Sequence, residues 1–346
     1  MSEVNQRLLL RTRPTGRVSI DNFAVEETPV PEPGEGEAIL RTLYLSLDPT
    51  NRIWMAQDSY LPKVAEGAVM RGMGIAQVVA SNDDGFEVGD LAMGACGWQD
   101  YSSSNNAEIP WTPLPRGLPI PISTMLGALG VTGLTAYFGM TDVAKAQAGE
   151  TVVVSAAAGA VGSIAGQIGK ALGCRVVGLA GSADKCAWLT DELGFDAAVC
   201  YKDDDWREQL VAACPDGVDV NFENVGGEIM EQLLGMLNIG ARVAVCGMIS
   251  VYNEEVPPPG PRNLANLIFK RATMQGFLVL DYLDRSDEAL AQMLPWLSEG
   301  KIRGEETIVE GPITDAPETL NMLFDGTNRG KLLLKVADPP LEVPTA

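Results

Sequence analysis

The sequence predicts an α/β chain built around a doubly wound parallel sheet, with a second, β-rich part beside it. Three observations carry this. Thr151 to Lys185 reads as strand, tight small-residue turn, helix, strand, which is one βαβ unit. From there to Val279 strands and helical patterns alternate, the signature of a parallel sheet covered on both faces. Before about Thr124 the chain reads instead as short strands broken by frequent turns.

In order, Arg7–Arg11 and Phe23–Glu27 read as strands, and Pro29 to Glu37 as a turn-rich connector. Ala38–Leu47 alternates as a strand. Asp48-Pro49-Thr50-Asn51-Arg52 breaks it, because Pro49 lacks an amide donor and pushes Asp48 to extended geometry. Met70–Ser81 is a second long strand, ended by the turn Asn82-Asp83-Asp84-Gly85, and Phe86–Gly94 leads into a third. Such spacing suits a small barrel or sandwich. The alternating region starts with strand Thr151–Ser155, a helix ending near Leu172-Gly173, and strand Arg175–Ala180. It continues with helix Asp184–Leu193, strand Ala197–Tyr201, helix Trp206–Cys214, strand Val218–Phe222 and helix Glu228–Leu237. Strands Arg242–Cys246 and Thr273–Val279 complete it, with the proline loop Pro257–Pro261 between them. The tail has helix Ala316–Phe324, a turn over Gly326–Gly330 and strand Lys331–Val336, with fraying expected from Pro339.

The βαβ turn has a chemical reading. Ala157, Gly159 and Gly162 occupy the places of a G-x-G-x-x-G fingerprint, with Ala160 and Val161 between the last two. Gly159 lets backbone approach a pyrophosphate, Gly162 lets the helix sit close on the strand, and the helix start offers N–H groups to phosphate. A glycine-rich turn that binds nothing is the competing reading, and the flanking strands argue against it. NAD sites place a carboxylate at the tip of the second strand. Here the tip is Leu179-Ala180-Gly181-Ser182, followed by Lys185, whose ammonium suits a 2′-phosphate. This points to NADP, with Asp184 left open as an NAD-type acceptor. Asn224 sits just past strand Val218–Phe222, Cys246-Gly247 ends the next strand and Phe277 the one after, where a ligand crevice is expected.

Composition narrows the partners. The 346 residues carry 25 basic against 46 acidic side chains, a net charge of −21. That surface repels nucleic acid and anionic lipid, so neither is an expected partner. The uncharged stretches Gly117–Thr141 and Thr151–Gly169 are rich in Gly, Ser and Thr and do not read as membrane spans. Leu8–Leu10 is too short for a signal-peptide core, which points to the cytoplasm. The six cysteines form no C-x-x-C pair and are expected as thiols. There is no histidine. That removes Ser-His and Cys-His mechanisms and leaves zinc without its usual imidazole, so no metal is expected.

Several segments together resemble one family. They are Tyr44-Leu45-Ser46-Leu47-Asp48-Pro49, Gly97-Trp98-Gln99-Asp100-Tyr101, Ala156–Gly162, Gly173–Gly178, Lys185-Cys186 and Glu192–Asp196. Glu223-Asn224-Val225-Gly226-Gly227, Cys246-Gly247, Tyr252-Asn253 and Asn328-Arg329-Gly330-Lys331 complete the set. The chain is similar to the medium-chain dehydrogenase/reductase superfamily. Within it the chain resembles the zinc-independent branch of leukotriene B4 dehydrogenases, prostaglandin reductases, alkenal double-bond reductases and bacterial curcumin reductases. The resemblance implies a GroES-like catalytic domain from residues 1–126 and 302–346 and a Rossmann NADP-binding domain from 127–301. It implies a homodimer that uses NADPH to reduce the C=C bond of α,β-unsaturated ketones and aldehydes. It also implies that Lys185 and Tyr201 hold the 2′-phosphate, and that Asn224, Cys246, Gly247, Phe277 and Asn328 contact the cofactor. Tyr252 and Tyr60 match substrate-side tyrosines of the family, and Asn51 stands where the family usually has methionine, next to the substrate.

Hydride addition to an enone builds negative charge on the carbonyl oxygen, which a hydroxyl donor in a dry pocket stabilises. Without histidine the donor is a tyrosine or the cofactor's ribose hydroxyl. Tyr252 is the favoured residue, with Tyr60 as the second. Two other functions stay open at this point: an NADPH quinone oxidoreductase, and a non-catalytic NADP-binding protein of the same fold.

Overall fold

The computed structural model describes residues 4–105, 109–117, 119–256 and 258–344; Pro257, at the head of the expected proline loop, lies outside them. The chain divides into two compact units. One runs to Leu126 and takes in Thr307–Asn328 and the residues from Leu332 on; the other is Gly127–Glu306 with Arg329–Lys331.

In the first unit, β1 (Val4–Leu10) and β2 (Phe23–Pro29) form an antiparallel ribbon. Then come β3 (Ala38–Leu47), α1 (Pro49–Ala56), β4 (Met73–Ser81), β5 (Leu91–Ala95), β6 (Tyr101–Ser103) and β7 (Thr112–Pro113). The expected break at Asp48–Arg52 is thus a helix. Pro49 opens it, at the position where a missing N–H costs nothing and the fixed φ is already helical. The Asp48 N–H donates to Asn51 Oδ1 at 2.8 Å and secures the entry.

The second unit begins with α2 (Val131–Phe138), then β8 (Thr151–Val154), α3 (Ala160–Ala171), β9 (Arg175–Ala180) and α4 (Ala183–Asp191). It continues with β10 (Ala197–Cys200), α5 (Trp206–Ala213), β11 (Val218–Glu223), α6 (Gly227–Met236) and β12 (Leu237–Val245). It ends with α7 (Ala265–Lys270), β13 (Thr273–Gly276) and α8 (Ser286–Ser298). The strands lie parallel in the order β10-β9-β8-β11-β12-β13, which is the doubly wound order with its switch point between β8 and β11. Alternation along a strand divides the core. Val152 and Val154 pack with α2, α3 and α8 on one face, and Val153 packs with α5 and α6 on the other.

The tail adds β14 (Glu306–Glu310), α9 (Ala316–Asp325) and β15 (Lys331–Lys335). The β-rich unit's sheet runs β14-β15-β3-β4-β5-β7, with β6 paired to β3. Its core gathers Leu40, Leu45, Val78, Trp98, Leu332 and Leu334. Residues 302–306 and 329–331, expected in this unit, belong with the other. There the Lys331 N–H donates to Glu305 O at 2.8 Å and the Gly330 N–H to Ala158 O at 2.8 Å. Nor is the segment after Pro339 frayed at its start, because the Gln77 amide holds the Leu341 N–H and carbonyl at 2.9 and 3.1 Å.

Candidate cofactor site and active-site groups

The turn after β8 is built by two close approaches. A Cβ on Gly162 would collide with the Ala156 carbonyl oxygen and come within 3.0 Å of Ala157 Cα, so α3 can start this near β8 only with glycine there. Ala156 itself takes a left-handed φ of +47° to aim that carbonyl. Gly159, the residue capping α3, is different. A Cβ there would meet only the Ala156 oxygen, at 3.2 Å, and otherwise open space. Gly159 therefore leaves its side of the turn uncovered, with Ala160 and Val161 in the helix's first turn, where N–H groups lack internal partners. The shape and the donors fit a pyrophosphate.

At the tip of β9 the groups are cationic. The Tyr201 hydroxyl lies against Gly181, close enough that a Cβ on that glycine would sit 2.9 Å from it. Ser182 caps α4, its Oγ accepting from the Lys185 N–H at 3.4 Å. Burial lowers the Lys185 ammonium pKa, and the neighbouring charges of Lys202 and Arg329 lower it further. A bound phosphate dianion would relieve that repulsion. Asp184 is exposed in the first turn of α4, past the strand tip rather than on it. Lys202 and Arg329 are cations that the motif alone does not single out.

The switch point holds a hub that sequence reasoning misses. The Glu223 carboxylate is fully buried at the end of β11. Its Oε1 accepts from Ser155 Oγ at 2.7 Å and from the Val225 and Gly226 N–H groups at 2.8 and 2.9 Å, and its Oε2 accepts from Asn221 Nδ2 at 3.0 Å. Ser155 Oγ in turn accepts the Asn224 N–H at 2.8 Å, and Asn224 Nδ2 donates to Ser155 O at 2.7 Å. The amide nitrogen of Asn224 thus faces Ser155, which leaves Oδ1 as the acceptor turned away from that contact. Glu223 was legible only as one letter of a family segment; a glutamate closing a buried strand was the available physical signal.

Cys246 and Gly247 follow β12. Burial pushes the Cys246 thiol up to about 12, with the Glu223 charge adding to it, so it is an inert apolar wall. The Tyr252 hydroxyl reaches back over this corner. It accepts the Met248 N–H at 2.9 Å and lies where a Cβ on Gly247 would be 3.3 Å away. Burial raises its pKa, outweighing the opposite effect of the Met248 N–H, so the phenol keeps its proton. That hydroxyl is held from one side and retains a proton to donate.

The remaining expected residues fall elsewhere. Phe277, just past β13, is half-buried and packs edge-on to Phe222 at 6.2 Å. Asn328 belongs to the β-rich unit, where it is buried. In that unit Tyr60 is 40% exposed, with its hydroxyl 2.7 Å from Thr50 Oγ1 and its ring edge-on to Trp54 at 6.2 Å. Asn51 is buried, its Oδ1 on the Asp48 N–H and its Nδ2 3.5 Å from Arg71 O, so it acts on its surroundings through the placement of α1. Among the described residues no three His, Cys, Asp or Glu side chains converge as a metal site, and no helix is long and apolar enough to cross a membrane.

Comparison with known proteins gives two family models, one described as the N-terminal domain of oxidoreductase over residues 6–110 and one as zinc-binding dehydrogenase over 160–299. The NADPH-dependent curcumin reductase of Escherichia coli is 44% identical, with 96% of this chain and 97% of that protein covered. The NADP(+)-dependent 2-alkenal reductase of Nicotiana tabacum is 38% identical, with 96% and 98% covered. The crystal structure of CurA from Vibrio vulnificus in complex with NADPH superposes with a TM-score of 0.91 at 41% identity, covering 96% of this chain and all of that one.

Proposed function

The chain belongs to the medium-chain dehydrogenase/reductase superfamily, and we propose that it is an NADPH-dependent reductase of the C=C bond of α,β-unsaturated ketones and aldehydes. The observation that carries the cofactor choice is the tip of β9, where Gly181, Ser182 and the Tyr201 hydroxyl stand with Lys185 in place of a carboxylate. The substrate class rests on the 44% and 38% identities to a curcumin reductase and a 2-alkenal reductase.

In this reading the Ala160, Val161 and Gly162 N–H groups in the first turn of α3 bind pyrophosphate, while Ala157 and Gly159, whose N–H groups donate to Leu179 O and Ala156 O, shape the turn that receives it. Gly181, Ser182, Lys185 and Tyr201 take the 2′-phosphate. Asn224 and the Cys246-Gly247 corner serve the reactive end, and Asn328 and Phe277 are the further cofactor contacts we propose. Bound NADPH would supply the hydride for the β-carbon of the substrate, and a proton from water would complete the saturated product at the α-carbon. Tyr252 donates its hydroxyl proton in a hydrogen bond to the carbonyl oxygen as charge develops there, held for this by the Met248 N–H. Tyr60 and α1, with Asn51 setting its position, favour one substrate shape over another.

The partner we propose is a second copy. β13 forms the edge of the parallel sheet, and Ile268 and Phe269 on the preceding helix are 75% and 67% exposed. An open edge beside apolar side chains is what a matching edge covers. The location we propose is the cytoplasm, where six cysteines with no C-x-x-C pair are expected to stay thiols.

The deciding experiment is parallel turnover of an enone, an alkenal and a quinone with NADPH, with products identified by mass spectrometry. Saturated carbonyl product from the first two is expected. Turnover of the quinone alone would make the chain a quinone oxidoreductase. NADPH binding without oxidation by any acceptor would make it a non-catalytic binding protein.

A further inference from the structure

We infer that Arg329 is a third cation of the 2′-phosphate site and a determinant of the preference for NADPH over NADH. The inference rests on the NADPH reading above and adds a residue that lies outside the βαβ unit in the sequence.

Its backbone is fastened to the glycine turn. The next residue, Gly330, bridges Gly159, and its N–H donates to Ala158 O at 2.8 Å. No side chain could replace this glycine, which has a left-handed φ of +59° and whose Cβ would collide with Glu305 O. Arg329 therefore leaves the turn in a fixed direction. Its guanidinium lies 5.3 Å over the ring of Trp188, which is only 3% exposed and so is a rigid platform. Trp188 is on α4, three residues after Lys185, and residues at that spacing share a helix face. The cation over the indole is thus beside the Lys185 ammonium, which feels its repulsion together with that of Lys202.

A guanidinium stacked on an indole keeps its plane and still presents N–H donors at its edge, the geometry that meets a phosphate with paired hydrogen bonds. The contact Arg329 makes with Glu305 is 3.4 Å long, between side chains 43% and 36% exposed. Such a pair is weak and screened by water. On a chain of net charge −21, three cations at one strand tip also form a local well for an anion.

The test is calorimetric binding of 2′,5′-ADP and of 5′-AMP to the full chain without dinucleotide. Wild type should prefer 2′,5′-ADP. Arg329→Leu should weaken 2′,5′-ADP by about 5- to 30-fold, the scale of a charge-assisted hydrogen bond partly open to water, and flatten its salt dependence. Binding of 5′-AMP should stay within about twofold, because it lacks the group that the cation reads. Arg329→Lys, which keeps charge but loses the stacked fork, should fall between. If Arg329→Leu melts early, Arg329→Gln carries the same comparison. Unchanged 2′,5′-ADP binding in the variant would overturn the inference and leave the NADPH reading intact. Equal losses for both ligands would make Arg329 a support of the turn instead. A wild type that does not distinguish the two ligands would remove the NADPH reading, and the inference with it.

Discussion

Around the switch point of the parallel sheet, polar side chains are held mostly by backbone. Glu223 takes two N–H groups, Asn224 bonds the Ser155 carbonyl, and Tyr252 accepts the Met248 N–H. In the β-rich unit the exposed Tyr60 is held by side chains, Thr50 at its hydroxyl and Trp54 at its ring, with the Arg71 guanidinium 5.2 Å over the same indole. Backbone cannot change with a mutation and side chains can. The first arrangement suits a cofactor that stays the same, and the second suits a surface where substrate preference changes by substitution.

If that contrast is right, the largest effect comes from the backbone side. Gly162→Val drives a Cβ into the Ala156 carbonyl, which is main chain and cannot swing away. The expected outcome is loss of measurable NADPH binding by fluorescence titration and a stability loss of about 2–4 kcal/mol in urea melts. Gly159→Ala is the companion. Its Cβ meets only one oxygen at 3.2 Å, so the fold should hold while cofactor affinity falls. Equal stability losses in both variants would mean that the turn has a single role.

Next in size is Tyr252→Phe, which keeps the ring and deletes the donor. Donors of this kind cost about 10²–10³ in rate, and about 10–100 is expected here because a ribose hydroxyl can share the work. kcat and kcat/KM should fall together. The raised pKa gives a sign for pH as well. The phenol stays protonated past its usual value, so wild-type kcat should hold through neutral pH and fall only in the alkaline range, and the variant should lose that fall. A raised KM with unchanged kcat would reduce Tyr252 to a binding contact.

Lys185→Ala follows, with about 1–3 kcal/mol lost in NADPH binding and little change for NADH. Its depressed pKa sharpens the measurement. NADPH affinity should decline on the alkaline side as the ammonium loses its proton, and NADH affinity should not. Equal losses for both cofactors would mean Lys185 does not read the phosphate.

What could be seen in the sequence follows the range of each interaction. Strand, turn, helix and strand tip from Thr151 to Lys185 are local, and the strand Arg175–Ala180 has the expected bounds. α1 was hidden because proline marks a break in most places, and only position in the first turn turns it into a helix start. The Glu223 hub was hidden because its Ser155 partner is 68 residues away and two of its other three bonds are to main chain, which no residue pattern records. Arg329 was hidden for the same reason, since it reaches Trp188 only after the chain has crossed to the glycine turn. Asn51 was visible but its burial was not, and burial changes what the residue does.

The smallest effect tests the side-chain half of the comparison. Thr50→Val keeps the shape of the residue and removes the hydroxyl that lies 2.7 Å from Tyr60 Oη. Both groups are in contact with water, so the bond is worth about 0.5–1 kcal/mol and stability should barely move. If Thr50 aims Tyr60 at the substrate, KM for a bulky enone should rise about two- to fivefold while kcat holds, since one hydrogen bond's worth of positioning is lost and the chemistry is untouched. Tyr60→Phe should give a similar shift. The double variant should then be no worse than either alone, because each single change already breaks the same bond. Additive shifts would mean that the two hydroxyls act on substrate separately. In that case the ring contact with Trp54 would matter more to Tyr60 than the bond to Thr50, and substitutions at Trp54 and Arg71, rather than at Thr50, would be the ones that change substrate preference.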